Sequence, residues 1–126
     1  MLNNKNAFTM IELIFVIVII GIVAAIGVPK LAIARNDAKA SVIATRLSNC
    51  VELASKGYLM DGSFDTNDTN CVEVVSTVNC YVLMANDDNG TLNIKDVSNA
   101  SNSCKLGQII TLRNKLSSAS GITHSF

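Results

Sequence analysis

Four sets of residues have types and spacings that bear on chemistry. They are Glu12 inside an apolar run, four cysteines, a string of oxygen side chains between Asp61 and Asn67, and a single histidine, His124. Glu12 carries the sharpest question. A carboxylate within a membrane-length apolar segment costs a few kcal/mol or more, so it normally has a partner. No basic residue lies within that segment. The plainer alternative is that Glu12, near one end, sits at headgroup level and is solvated. His124 excludes a multi-histidine metal centre by being alone. As a Ser-His-Asp base it would stand two residues from the end of the sequence and would need a fixed orienting partner, so no catalytic residue is assigned.

Cys50, Cys71, Cys80 and Cys104 contain no C-x-x-C pair, which argues against a zinc site or thioredoxin-like chemistry. An even count points to two disulfides outside the cytoplasm. Three pairings are possible. Cys50–Cys71 with Cys80–Cys104 is favoured, because it ties a helix to the following domain and closes the last strands; sequence leaves the connectivity open. Each such loop would stabilise by roughly 3 kcal/mol in the chain-entropy account. The segment Asp61-Gly-Ser-Phe-Asp-Thr-Asn67 places oxygens at every second residue, as a calcium loop does. It lacks glycine at the sixth position and has Val72 where the twelfth-position Glu would stand. No metal ligand or cofactor is assigned, with calcium the ion to weigh at this loop. Asn67, Asn89 and Asn99 each fit the N-x-[ST] acceptor pattern.

The elements that position these residues follow from hydropathy and charge. The 126 residues have room for one domain, or for one domain plus an appendage. Ten basic and ten acidic side chains cancel, which removes the case for a broad electrostatic footprint on nucleic acid or anionic lipid. The charges are segregated. Residues 30–60 are net +3, residues 61–104 set seven carboxylates against Lys95 for −6, and residues 105–126 are net +3. The central segment would repel phosphate, so direct nucleic-acid binding is not supported. Opposite regional charges would favour head-to-tail contact between copies; a set of solvated loops explains them equally.

From Phe8 to Pro29, 22 residues are interrupted only by Thr9 and Glu12. A helix of that length spans roughly 30 Å, the hydrocarbon thickness of a bilayer. An ordinary signal peptide would give way to a polar mature start, whereas here the apolar pattern continues through Leu31 and Ile33. Beyond Pro29, Ala40, Ile43, Leu47, Val51, Ala54 and Tyr58 recur at steps of three and four. That spacing predicts an amphipathic helix from Lys30 to Tyr58, ending near Gly57. Val72–Val78, Cys80–Ala85, Thr91–Val97 and Leu106–Leu112 are candidate strands, with a hairpin loop at Asn89-Gly90. The tail Ser117–Phe126 is polar and is expected to be loose.

The run Ala7-Phe8-Thr9-Met10-Ile11-Glu12-Leu13 resembles the processing site of type IV pilins and type II secretion pseudopilins. The resemblance covers residues 1 to about 35; Ala7 stands where the family usually has Gly. It implies a leader over residues 1–7, cleavage between Ala7 and Phe8, and methylation of the new Phe8 amine. It implies that Glu12 pairs with that amine on a neighbouring subunit, so processing supplies the missing cation. Gly21, Gly27 and Pro29 fall where family members often unwind or bend, which proline chemistry would explain. The implied fold is α+β and pilin-like: a transmembrane or filament-core helix over residues 8–29, its amphipathic half over 30–59, and a small disulfide-linked β-rich domain over 60–126, with the long helix packed on a small antiparallel sheet. The implied function is structural rather than enzymatic, and the work of extension would come from an assembly platform and ATPase elsewhere, since the sequence has no G-x-x-x-x-G-K-[ST] loop. The implied partners are other copies of itself, minor pilin-like subunits, a prepilin peptidase, an inner-membrane assembly platform and the lipid bilayer. The implied location is the bacterial inner membrane, with the C-terminal domain in the periplasm, and then a filament. Secretion, adhesion or motility, and DNA uptake all remain open. A single-pass anchored periplasmic binding domain that does not polymerise is the alternative.

Overall fold

A computed structural model describes residues 7–126; of the leader expected over residues 1–7, all but Ala7 lies outside the described residues. The fold is α+β. Helix α1 (Met10–Asp61) is followed by α2 (Thr69–Val72), a π-helical turn (Glu73–Thr77), strands β1 (Tyr81–Asn86) and β2 (Thr91–Asp96), helix α3 (Asn102–Arg113) and strand β3 (Ile122–Ser125). The chain divides into two compact units, one ending at Arg35 and the other running from Asn36 to Phe126.

In the first unit the stem is apolar on every side and every large apolar side chain from Phe8 to Val28 is exposed, Phe8 at 86% and Val28 at 65%. It is the one helix among the described residues long and apolar enough to cross a membrane. The helix runs unbroken through Gly21, Gly27 and Pro29. Proline without an N–H costs one intrahelical bond at Ala25, and the surrounding apolar turns keep their own.

In the second unit the sheet has order β1-β2-β3, all antiparallel. Tyr81, Leu92 and Ile94 face inward and pack with Ile43, Leu47 and Ala54 of α1. The face expected from the three–four spacing is the buried one, extended by Ala44 and Cys50. The helix stops at Asp61 rather than near Gly57, because Gly62 takes the left-handed φ of +76° and its N–H bonds the carbonyl of Tyr58 at 2.8 Å. At the β1–β2 turn, Gly90 has φ of +60°, and a Cβ there would lie 2.7 Å from the Tyr58 hydroxyl oxygen.

Three expected elements are corrected. Val72–Val78 is helical, not a strand. The Asp68 carboxylate accepts the Asn70 N–H at 2.8 Å, and Cys71 and Val74 are buried three residues apart, which is helical spacing. Leu106–Leu112 lies in α3. Its buried residues are Cys104, Gly107 and Thr111, so the helical period is carried by small and polar side chains while Ile109 and Leu112 face out. Gly107 is there for close approach: a Cβ would meet Ile43 at 3.2 Å and the Ala40 carbonyl at 3.3 Å. The helix ends in a Schellman arrangement, Leu116 N–H to Thr111 O at 2.8 Å and Lys115 N–H to Leu112 O at 3.0 Å. Lys115 occupies the left-handed position at φ 58°, so no glycine marks the end. The tail is ordered rather than loose: β3 pairs with β2 from Ile94↔Ile122 to Thr91↔Ser125, and Ser117 is fully buried.

Ser117 belongs to a buried hydroxyl chain. Its Oγ lies 2.8 Å from Thr111 Oγ1, which lies 3.2 Å from the Tyr81 hydroxyl. Burial pushes the Tyr81 phenol up to about 12; the Thr111 hydrogen bond opposes the shift and the Asp96 carboxylate adds to it. A raised phenol pKa means that folding favours the neutral form. This contribution is therefore complete below pH 10, the unfolded value, and is lost as pH rises towards 12. In a Tyr58→Phe chain, Tyr81 is the sole tyrosine. Its 295 nm titration should then have a midpoint near 12 when folded and near 10 in denaturant. A folded midpoint near 10 would contradict the buried network.

Candidate processing and assembly site at the amino terminus

The first turn of α1 brings Phe8, Thr9 and Glu12 together. The Thr9 N–H donates to the Glu12 carboxylate at 2.9 Å, and the Glu12 N–H donates to Thr9 Oγ1 at 3.3 Å. This is a reciprocal capping box, in which the Ser/Thr side chain caps one orphan donor and the Glu three residues on caps another. The first intrahelical bond follows, Leu13 N–H to Thr9 O at 3.2 Å. The partial positive charge of the helix N-terminus favours a carboxylate at this position. Glu12 thus has a partner within its own chain, a role that the T-x-x-E pattern before an apolar run signals in the sequence.

The cap occupies one carboxylate oxygen, Oε2. The Ala7–Phe8 peptide lies immediately before Thr9, and Ala7, Phe8 and Glu12 are all exposed. Cleavage there would convert the Phe8 nitrogen from an amide to an ammonium one residue from the amide that already holds Glu12. The site can therefore present a fixed, solvent-facing carboxylate and, after processing, a cation beside it.

The other sequence-identified residues lie elsewhere. Around Gly21 and Gly27 there is open space where a Cβ would stand. Cys50 is bonded to Cys71 and Cys80 to Cys104, joining α1 to α2 and the residue just before β1 to α3. His124 is in β3, and its Nε2 lies 3.0 Å from the Leu116 carbonyl oxygen, a partner that makes Nε2 the protonated nitrogen. In the Asp61–Asn67 loop, Asp65 accepts the Asn67 N–H at 3.0 Å, and the Phe64 N–H donates to Asp87 at 2.9 Å. These carboxylates are engaged with backbone, and among the described residues no three His, Cys, Asp or Glu side chains are grouped as metal ligands. Away from the loop, Arg46 pairs with Glu73 at 3.2 Å, and Lys56, one turn on, holds the exposed Glu52 carboxyl below its usual value.

Residues 2–28 match the family described as the prokaryotic N-terminal methylation motif. The chain is similar to the type IV wide pilus major component PilA4 of Thermus thermophilus, at 28% identity over 105 residues, covering 72% of this chain and 80% of that protein. No solved structure matches. The capped amino-terminal turn carries the motif, the long apolar helix and small antiparallel sheet supply a pilin-like architecture, and the similarity to a type IV pilus component runs along most of the chain.

Proposed function

We propose that the chain is a filament-forming pilus subunit, stored in the inner membrane through residues 8–29 and polymerised by a separate assembly machine. The observation that carries this reading is the joint presence of a helix surface left bare from Phe8 to Val28 and a single capped carboxylate, Glu12, at its start. Such a surface requires lipid or other apolar helices around it, and small residues such as Ala24, Ala25 and Gly27 permit helices to approach closely. A prepilin peptidase would cut between Ala7 and Phe8 and the new amine would be methylated. Each Glu12 would then neutralise the Phe8 ammonium of a neighbour, fixing register in a site of low dielectric. Gly21, Gly27 and Pro29 would be the places where the stem yields on packing. The similarity to a pilus major component favours a surface pilus over a secretion or competence pseudopilus. Mechanical shearing of native cells tests the reading: the chain should be recovered in the sheared filament fraction, and its confinement to the membrane fraction would favour a tethered, non-polymerising protein.

A further inference from the structure

Helix α3 buries its small and polar side and turns its apolar residues outward. Ile109 and Leu112 are each 53% exposed, three residues apart, between the exposed cations Lys105 and Arg113. Lys105 and Arg113 each stand four residues from Ile109, and Leu112 stands three from it, so all four flank Ile109 on one side of the helix. Among the described residues the ion pairs are Arg46–Glu73 and Lys56–Glu52, so neither cation of this stripe is engaged. At the far end of α1 stands the complementary feature. Leu59 and Met60 are 72% and 83% exposed and are followed by Asp61. Asp61 ends a helix with no basic residue in its last turn, where a carboxylate is disfavoured by the helix dipole. The Phe64–Asp87 hydrogen bond brings the 86–90 turn to this same corner, adding Asp87 and Asp88 to its acidic rim.

Stripe and corner cannot meet on one chain. Gly107 of α3 packs at Ala40 and Ile43, and Met60 lies about 17 residues further along α1, roughly 25 Å at the helical rise. We propose that the Lys105–Ile109–Leu112–Arg113 stripe docks the Leu59–Met60–Asp61 corner of a second copy of this chain. The two surfaces differ, so the contact is heterologous and propagates as a polymer instead of closing as a dimer. Two apolar side chains meet two, with cations facing carboxylates. Each contact is small, and repetition along a filament multiplies it. The inference rests on the filament reading and names the surfaces that join the globular units within it.

A charge exchange in the full chain tests it. Asp61→Arg and Arg113→Asp should each lower sheared-filament yield by about tenfold through like-charge apposition, and the double exchange should restore it to within about threefold of native. Asp61→Arg improves the charge at the helix C-terminus, so its loss of yield would not reflect a weakened helix. Single variants at native yield, or a double exchange no better than either single, would overturn the contact. Independently, Met60→Cys and Ile109→Cys in one chain should be joined between copies by a short bismaleimide in sheared filaments; monomers alone would overturn it. A native chain that yields no filament would overturn the filament reading itself, whereas native filaments without rescue or cross-links would overturn this contact and leave that reading standing.

Discussion

A Glu12→Ala chain should insert into the membrane at the native level and lose filament by about a hundredfold or more, because an ammonium left without its carboxylate in a low-dielectric site costs about 3–5 kcal/mol. Insertion is carried by the apolar run from Leu13 to Pro29, which the substitution does not touch. The same substitution also removes the carboxylate that accepts the Thr9 N–H. Losing that half of a capping box costs about 1 kcal/mol, too little to unravel a helix of 52 residues. Glu12→Gln separates the two roles, since a glutamine oxygen can still cap Thr9 but brings no charge. If charge pairing sets assembly, Glu12→Gln should assemble as poorly as Glu12→Ala. Native filament yield from Glu12→Gln would mean that Glu12 serves its own helix end and not a neighbour's amine. Shear-fraction yield and membrane content, measured together on the same cells, read both effects.

Removing the Cys80–Cys104 bridge should markedly destabilise the second unit. Both cysteines are fully buried, and the bridge spans 24 residues that include the β1–β2 hairpin. Closing a loop of that length stabilises by about 3 kcal/mol in the chain-entropy account. In a domain of this size that corresponds to a melting temperature lower by roughly 10–20 °C. A Cys80→Ala/Cys104→Ala chain in detergent, melted by circular dichroism against the native chain, measures it. The core explains the dependence. Ala40, Ala44, Ala54 and Gly107 stand beside Ile43 and Leu47 at the α1 contacts, and such small side chains bury little apolar area. A fall of less than about 5 °C would show that the hydroxyl chain and the sheet suffice without the bridge.

What the sequence disclosed, and what it hid, divides along the same physical line. The apolar stem is legible as a continuous apolar run of membrane length, and the α1 face because its hydrophobic residues recur with the helix period. Strands β1 and β2 were legible because Asn89-Gly90 punctuates them, although only Gly90 adopts the left-handed backbone. Helix α3 was not legible, because the residues it buries are Cys104, Gly107 and Thr111 while Ile109 and Leu112 point outward. A pattern reading that equates apolar with buried assigns such a segment to the wrong class. The Val72–Val78 segment misled through its β-branched run, which the Cys50–Cys71 bridge and the Asp68 cap override. Strand β3 is four polar or half-buried residues, Ile-Thr-His-Ser, held by pairing with β2 and by His124 on the Leu116 carbonyl. At the amino terminus the unusual carboxylate was plain in sequence. Its own-chain partner was missed, although T-x-x-E before an apolar run is a recognised helix start.

The central claim is that this chain is cut between Ala7 and Phe8 and enters a filament in that form. Intact mass spectrometry of the sheared fraction, with and without reduction, tests it most directly. The expected mass begins at Phe8 and carries one added methyl group, and reduction should add the hydrogens of the two bridges Cys50–Cys71 and Cys80–Cys104. A mass that still includes Ala7 and the residues before it would contradict the claim and leave a membrane-tethered domain in its place.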